Sequence, residues 1–204
     1  MAAPEPPARP GKDAVPEGSQ ATPRWASLAP YGWLLFIAFI VTVADQVTKA
    51  VMMRLLPEGT FQIGVPEGFV EPITVIPGFF YLVHVTNEGA AWGMLDGHAF
   101  WLGIFGVIAL AAVFHYRHAL ELSRQPQQWI FGLICGGILG NVIDRLRWGH
   151  VVDFLDVHLG SYRYPAFNVA DSAITVGVIC YLAYSWFFTG TDKVSPSAKT
   201  HPPS

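Results

Sequence analysis

Four segments of the chain are apolar enough and long enough to cross a lipid bilayer. They cover residues 31–53, 98–116, 127–144 and 168–188, and polar or proline-rich stretches separate them. A helix rises 1.5 Å per residue, so about 20 residues span a hydrocarbon layer of ~30 Å. The pattern therefore predicts an all-α membrane core of four transmembrane helices.

The stretch between the first two segments has a different pattern. From Pro57 to Leu95, prolines and glycines separate short runs rich in Val, Ile, Thr, Phe and Tyr, such as 69–76 and 79–85. Such runs are typical of short β-strands. We expect them to form a small β-sheet outside the membrane, although their pairing does not follow from the sequence.

The two ends of the chain are predicted to be disordered. Residues 1–30 contain seven prolines and few large apolar side chains, and residues 190–204 are polar and again contain prolines. Neither segment can bury enough surface to offset the entropy of ordering it. The first apolar segment is too long for the core of a cleaved signal peptide, so we expect it to be retained. A single membrane domain over residues 31–189 is predicted.

Composition supports a membrane protein and excludes some partners. The chain is 52% hydrophobic and 13% charged, against about 25% charged in soluble domains, and its mean hydropathy is +0.38. The net charge of -3 is not that of a nucleic-acid-binding protein. Cys135 and Cys180 both lie in apolar runs, where small buried thiols are expected.

Charge asymmetry predicts the orientation in the membrane. Four spans place both termini on the same side. That side carries Arg9, Lys12, Arg24, Arg117, Arg124, Lys193 and Lys199, whereas Arg54, Arg145, Arg147 and Arg163 lie opposite. The positive-inside rule then places both tails in the cytoplasm and the sheet at the outer, periplasmic face.

Several polar residues interrupt the apolar segments. Asp45 and Lys49 are four residues apart in the first segment and can form a structural ion pair on one helix face. In the third segment Asn141, Asp144 and Arg145 share a face at its end. Three glycines of the same segment repeat at four-residue spacing, which permits close helix contact in lipid. They are Gly132, Gly136 and Gly140.

The connector 149–172 carries the strongest candidate chemistry. Asp153 lies at its start and Asp171 where the fourth segment begins, with Asn168 one turn earlier. Ionisable residues at a membrane edge are costly and usually functional. Two adjacent carboxylates share a proton and can act together as base and acid on a peptide bond. From spacing alone, a turn cap and a helix-start carboxylate explain the two residues equally well.

Other hydrolytic sites have less support. Neither a G-x-S-x-G nor an H-E-x-x-H motif occurs, and Cys135 has no base nearby in sequence. Four residues of the connector could ligate zinc, namely His150, Asp153, Asp156 and His158. Strand alternation places Asp153 on the face opposite to the other three, which weakens a joint metal site.

Two functions of other classes remain open. A small transporter would use Asp45, Lys49, Asp144 and Arg145 as an intramembrane relay, but the charges cluster towards one surface and no internal repeat is evident. A non-enzymatic assembly factor would use the polar residues only to hold helices together. Cleavage of a lipid-modified substrate distinguishes both from a peptidase.

Five short blocks resemble the lipoprotein signal peptidase family, the type II signal peptidases of bacteria. They occur in the family's order and lie between Tyr31 and Phe188. The blocks are D-Q-V-T-K from Asp45, N-E-G-A-A-W from Asn87, G-G-I-L-G-N-V-I-D-R from Gly136, V-V-D-F from Val151 and F-N-V-A-D-S from Phe167. Trp92 replaces a more usual phenylalanine.

The resemblance implies an aspartic endopeptidase of the bacterial cytoplasmic membrane. It would cleave the signal peptide of a prolipoprotein just before a cysteine that carries diacylglycerol, as a monomer among membrane lipids, with no metal or other cofactor. Asp153 and Asp171 would be catalytic, and Asp156 a surface residue. Residues supporting the substrate or the pair would be Asn87, Gly89, Asn141, Arg145, Asn168 and Ala170. Asp45 and Lys49 would be structural, and Asp144 would orient Arg145.

Overall fold

The computed structural model of the protein describes residues 29–60, 71–89, 94–95 and 97–188. Both predicted disordered tails, apart from residues 29 and 30, lie outside the described residues. So do residues 69 and 70 of the predicted strand run 69–76. The elements that position the polar residues named above all lie inside the described ranges.

Four helices make up most of the described chain. They are α1 (Gly32–Leu55), α2 (Ala99–His115), α3 (Gln125–Trp148) and α4 (Val169–Phe188). Within the described residues α1, α3 and α4 are long and apolar enough to cross a membrane, and α2 is a shorter apolar helix. Large apolar side chains such as Phe105 and Trp186 point outwards. Outward apolar groups suit a lipid environment, where nothing drives them into a core.

Helix α3 is packed closely against α1 through its glycines. A Cβ atom added to Gly132 would lie 2.7 Å from Ile37 Cβ, and one added to Gly136 would lie 2.7 Å from the carbonyl oxygen of Ala38. The predicted small-residue contact is therefore present. Residues near the start of α1 face residues near the start of α3, and residues near the end of α1 face residues near the end of α3. The two helices therefore run parallel.

Helices α2 and α4 run antiparallel to α3 on its other sides. Gly137 of α3 faces Ala170 at the start of α4, and Gly177, further along α4, faces Ile134. Gly106 of α2 faces Val142, near the end of α3. The ends of α1 and α3 and the starts of α2 and α4 consequently lie at the same end of the bundle.

Helix α3 continues beyond the predicted segment 127–144. It begins at Gln125 and ends at Trp148, where Gly149 adopts a left-handed conformation with φ of 78°. Glycine reaches that conformation without a steric penalty and commonly ends helices. The extra turn carries Arg145, Arg147 and Trp148. Because of its two charges and its amphipathic tryptophan ring, the hydrophobicity pattern did not include it in the apolar segment.

A four-stranded antiparallel sheet lies at the same end of the bundle. Its strands are β1 (Ile73–Ile76), β2 (Phe80–Asn87), β3 (Val151–Leu159) and β4 (Tyr162–Arg163), in the order β1-β2-β3-β4. The mostly helical fold with a small antiparallel sheet is confirmed. The pairing of the connector with the sheet was missed, because β3 pairs with β2 over long sequence separation and Val151–Phe154 is buried without the usual alternation.

Asp156 is not a surface residue, contrary to the prediction. Its side chain is fully buried, and Oδ1 and Oδ2 accept hydrogen bonds from Arg163 Nε and Nη2 at 2.9 and 2.7 Å. His158 Nε2 lies 3.0 Å from Oδ2. The carboxylate is buried because β4 folds back on β3 and brings Arg163 to it. This ion pair secures the hairpin that follows Asp153.

Candidate active site at the membrane edge

A buried ionic cluster joins α1 to α3. Lys49 Nζ lies 2.8 Å from Asp45 Oδ2 and 2.6 Å from Asp144 Oδ2, and all three side chains are at most 2% exposed. The Asp45–Lys49 pair predicted from four-residue spacing is present. Asp144, expected to orient Arg145, instead pairs with Lys49, because the parallel helices bring the ends of α1 and α3 together.

Two further groups satisfy the carboxylates of this cluster. The Gln46 side-chain amide donates to Asp144 Oδ1 at 2.7 Å, and the backbone N–H of Ala170 donates to Asp45 Oδ1 at 2.9 Å. The contact from Ala170 ties the start of α4 to α1. Gln46 was not singled out from the sequence, although it follows Asp45 directly in the first block. The sequence signal that could have identified Gln46 was a polar amide side chain in an otherwise apolar segment.

Asn141 connects the ionic cluster to Asp171, one of the two candidate aspartates. Its side-chain oxygen accepts from Lys49 Nζ at 3.1 Å, and its Nδ2 donates to Asp171 Oδ1 at 2.7 Å. Asn141 is buried, whereas Asp171 is half-buried. The amide therefore bridges a cation and a carboxylate through opposite ends.

Asp171 and Asn168 cap the start of α4 reciprocally. The backbone N–H of Asp171 donates to Asn168 Oδ1 at 2.9 Å, and the backbone N–H of Asn168 donates to Asp171 Oδ2 at 3.3 Å. This exchange is the capping-box arrangement found at helix N-termini. The positive end of the helix dipole also favours the charged form of a carboxylate placed there.

Asp153 enters the site from β3. Its Oδ2 accepts from Asn87 Nδ2 at 2.9 Å and its Oδ1 from Asn168 Nδ2 at 2.8 Å. Asn87 ends β2, directly beside β3 in the sheet. One side chain, Asn168, thus contacts both candidate aspartates, binding Asp153 through its amide nitrogen and Asp171 through its amide oxygen.

The environment of Asp153 favours its protonated form. Burial, followed by the nearby negative charge of Asp171, raises the pKa of Asp153 from 3.8 to about 7. The hydrogen bonds from Asn87 and Asn168 act in the opposite direction but do not offset burial. A carboxylic acid that titrates near neutral pH beside a second carboxylate is suited to acid–base catalysis.

Arg145 links the end of α3 to the segment after β2. Its Nη2 donates to the carbonyl oxygen of Gly89 at 3.0 Å, and the backbone N–H of Gly89 donates to Asn87 Oδ1 at 3.0 Å. Arg145 Nε is buried without a hydrogen-bond partner among the described residues. The guanidinium therefore holds the loop beside Asp153.

A metal site in the connector is not formed by the described residues. They contain no cluster of three His, Cys, Asp or Glu side chains suited to a metal. Asp156 and His158 instead contact Arg163 and each other, on the face of the sheet away from Asp153. The structure brings together Asn87, Gly89, Asn141, Arg145, Asp153, Asn168 and Asp171, with Ala170 joined to them through Asp45.

The fold and site define a helical membrane protein with two aspartates at one end of the bundle, each of which is hydrogen-bonded to Asn168. The family model described as "Signal peptidase (SPase) II" matches residues 37–187. The chain belongs to the signal peptidase II family, which confirms the resemblance read from its five blocks.

Individual relatives agree with this assignment. The chain is 41% identical over 162 residues to the lipoprotein signal peptidase of Syntrophotalea carbinolica, covering 78% of this chain and 94% of the relative. The lipoprotein signal peptidase of Geobacillus kaustophilus is 40% identical over 164 residues, with 80% and 97% covered. A solved bacterial membrane enzyme is 34% identical, with a TM-score of 0.66 over 81% of this chain and 94% of that one.

Proposed function

We propose that this protein cleaves the signal peptide of prolipoproteins as an aspartic endopeptidase, with Asp153 and Asp171 as the catalytic pair. The observation that carries the assignment is the side chain of Asn168, which hydrogen-bonds to Asp153 and caps Asp171 at once. It holds a carboxyl group that titrates near neutral pH beside a carboxylate at a helix N-terminus. Family membership supports the same reaction.

The two carboxyl groups have different roles in this mechanism. Asp171 is the base, since it accepts hydrogen bonds from Asn141 and the backbone N–H of Asn168 and lies beside the protonated Asp153. It takes a proton from water, whose oxygen attacks the scissile carbonyl carbon. Asp153, protonated, donates to the carbonyl oxygen. As the tetrahedral intermediate collapses, the C–N bond breaks and a proton from Asp171 passes to the leaving amine, while one hydroxyl proton of the intermediate returns to Asp153 as the C=O bond re-forms.

The remaining site residues position the pair and the substrate. Asn87 and Asn168 hold Asp153, whereas Asn141 holds Asp171. Arg145 fixes Gly89 next to Asn87. The backbone N–H of Ala170 donates to Asp45, and this hydrogen bond anchors the start of α4 to α1.

We further propose that all four helices cross the membrane and form one domain over residues 31–189. The parallel pair α1 and α3 with antiparallel α2 and α4 supports this topology, although α2 has only 17 residues. Two arginines, Arg117 and Arg124, lie in the α2–α3 loop at the end away from the sheet. The positive-inside rule then favours a cytoplasmic location for that loop and both termini.

The location of the pair suits a substrate anchored in lipid. A prolipoprotein whose cysteine carries diacylglycerol cannot leave the bilayer, so its cleavage site stays near the membrane surface. The aspartates lie where helix ends meet the sheet, which is the depth such a site would reach. We propose a monomer that acts without a cofactor at the outer face of the cytoplasmic membrane.

Purified protein and a diacylglyceryl-modified prolipoprotein test this function. We expect cleavage just before the modified cysteine, unaffected by a metal chelator. Asp153→Asn and Asp171→Asn are each expected to lose at least about 10³-fold in rate, because acid–base catalysis alone contributes about 10² to 10⁴. Glu121→Gln, in an exposed ion pair at the other end of the bundle, is the matched control. Near-normal turnover by either aspartate variant would refute the pair.

A further inference from the structure

We propose that Lys49 is a positioning residue for the catalytic pair. By binding the oxygen of the Asn141 amide, it directs the NH₂ group of that amide onto Asp171. The inference rests on the proposed function and extends the role of Lys49 beyond a structural ion pair. Asn141 is the only intermediary required, since it contacts both Lys49 and Asp171.

Three oxygen acceptors surround the ammonium group of Lys49, one for each of its N–H donors. A lysine ammonium carries three N–H donors and no acceptor. Its acceptors are Asp45 Oδ2 at 2.8 Å, Asp144 Oδ2 at 2.6 Å and Asn141 Oδ1 at 3.1 Å. Lys49 is 1% exposed, so water does not compete for these donors. Two carboxylates would suffice for an ion pair, and the third donor is directed towards the active site.

This contact determines which way the Asn141 amide points. If the amide rotated by 180°, its NH₂ group would face the ammonium, donor against donor, and its oxygen would face Asp171. Asn168 Nδ2 also donates to Asn141 Oδ1, at 3.3 Å, and would oppose the same rotation. The observed orientation places Nδ2 at 2.7 Å from Asp171 Oδ1.

The position of Lys49 itself is fixed from three helices. Asp45 lies one turn earlier on α1 and also accepts from Ala170 on α4, while Asp144 on α3 also accepts from Gln46. Both carboxylates therefore have partners that hold them in place independently of Lys49. The ammonium cannot move away from Asn141 without leaving one of them.

The expected effect is on kcat rather than on KM. Without the directed amide, the Asp171 carboxylate would lose a hydrogen bond that holds it in position, whereas the loop that Arg145 holds beside Asp153 would be unchanged. From the strength of hydrogen bonds to charged groups, kcat should fall by about tenfold.

A charge-matched pair of double variants tests the proposal. Lys49→Met with Asp144→Asn removes one cation and one anion together, so the net charge of the cluster is unchanged. Lys49→Gln with Asp144→Asn is the control, since its side-chain amide still offers an N–H to Asn141. We expect the Met variant to lower kcat about tenfold with little change in KM. The Gln variant should lose less, because it restores an N–H donor to Asn141.

The outcomes separate this inference from the proposed function. A wild-type protein that does not cleave refutes the proposed function itself. With an active wild type, an unchanged kcat in the Met variant, or equal losses of kcat in both variants, overturns only the role of Lys49. Thermal melting in detergent shows whether the variants fold.

A single variant covers the case in which the Lys49 substitutions do not fold. Asn141→Asp keeps an oxygen for Lys49 and turns a second oxygen towards Asp171, as a rotated amide would. We expect its kcat to fall by at least as much as the kcat of the Met variant. An unchanged kcat in a folded Asn141→Asp protein overturns the proposal.

Discussion

At the scale of single residues, hydrogen bonds fix the directions of five asparagine or aspartate side chains of the site, namely Asn87, Asn141, Asp153, Asn168 and Asp171. Asn168 is the most constrained, because its amide oxygen caps α4 and its amide nitrogen binds Asp153. The sequence indicated Asp153 and Asp171 by their places in the connector, and the family blocks selected the same two. Their shared contact with Asn168 required the turn that precedes α4, which spacing does not specify.

The raised pKa of Asp153 predicts a pH-dependent stability. Between about pH 4 and 7 the folded protein holds a proton on Asp153 that the unfolded chain has lost, so this group's stabilisation is present below pH 4 and is lost as pH rises through about 7. Thermal melting in detergent should show that Tm falls as the pH rises from about 4.5 to 8, because Asp153 loses its proton in the folded protein.

The comparison with Asp153→Asn isolates this contribution. The variant cannot bind the proton, so its Tm should fall less steeply over the same range. Equal pH dependence in the two proteins would contradict a raised pKa at this position. Other titrating groups are common to both proteins and cancel in the difference.

At the scale of secondary-structure elements, the close approach of α1 and α3 depends on glycine. A Cβ atom at position 136 would lie 2.7 Å from the carbonyl oxygen of Ala38, a backbone atom that cannot rotate away. Gly136→Ala should therefore destabilise the fold by about 1–3 kcal/mol through overpacking. Gly32→Ala is the control, since nothing lies within 4 Å of its added Cβ. Unfolding in a denaturing detergent measures both, and equal stabilities would refute the tight contact.

The β3–β4 hairpin depends on the buried Asp156–Arg163 ion pair. Removing one partner of a buried pair costs about 3–5 kcal/mol, and the 31% exposure of the Arg163 side chain reduces this. Asp156→Asn should therefore cost roughly 2–3 kcal/mol, measured by thermal or denaturant unfolding. Glu121→Gln, which disrupts an ion pair with both side chains more than 40% exposed, should cost less than about 1 kcal/mol. Similar losses in both variants would count against the hairpin assignment.

The sequence specified the helices better than the sheet. Runs of about 20 apolar residues are a local signal, and the glycine spacing in α3 is also local. The pairing of β2 with β3 joins Val85 to Asp153 across two helices, which no local pattern encodes. Asp156 was assigned to the surface for the same reason, because Arg163 reaches it only after β4 folds back on β3. The partners of Asp144 likewise depended on α1 and α3 being parallel.

At the scale of the whole molecule, the proposed orientation places the sheet outside and the α2–α3 loop inside. In a protein with Cys135→Ala and Cys180→Ser, single cysteines can be placed at exposed positions on either side. Tyr162→Cys in β4 should react with a membrane-impermeant maleimide added to intact spheroplasts. Arg124→Cys, at the start of α3, should react only after the membrane is permeabilised. The reverse pattern would invert the topology, and equal labelling of both would indicate mixed insertion.

The active site draws each of its parts from a different element. Lys49 comes from α1, Asn141 from α3, Asp153 from β3 and Asp171 from α4, the last of the described helices to be synthesised. A nascent chain that ends before α4 therefore holds only one of the two proposed catalytic carboxylates. In the proposed mechanism such a chain is inactive, so activity arises only once α4 has packed beside α3.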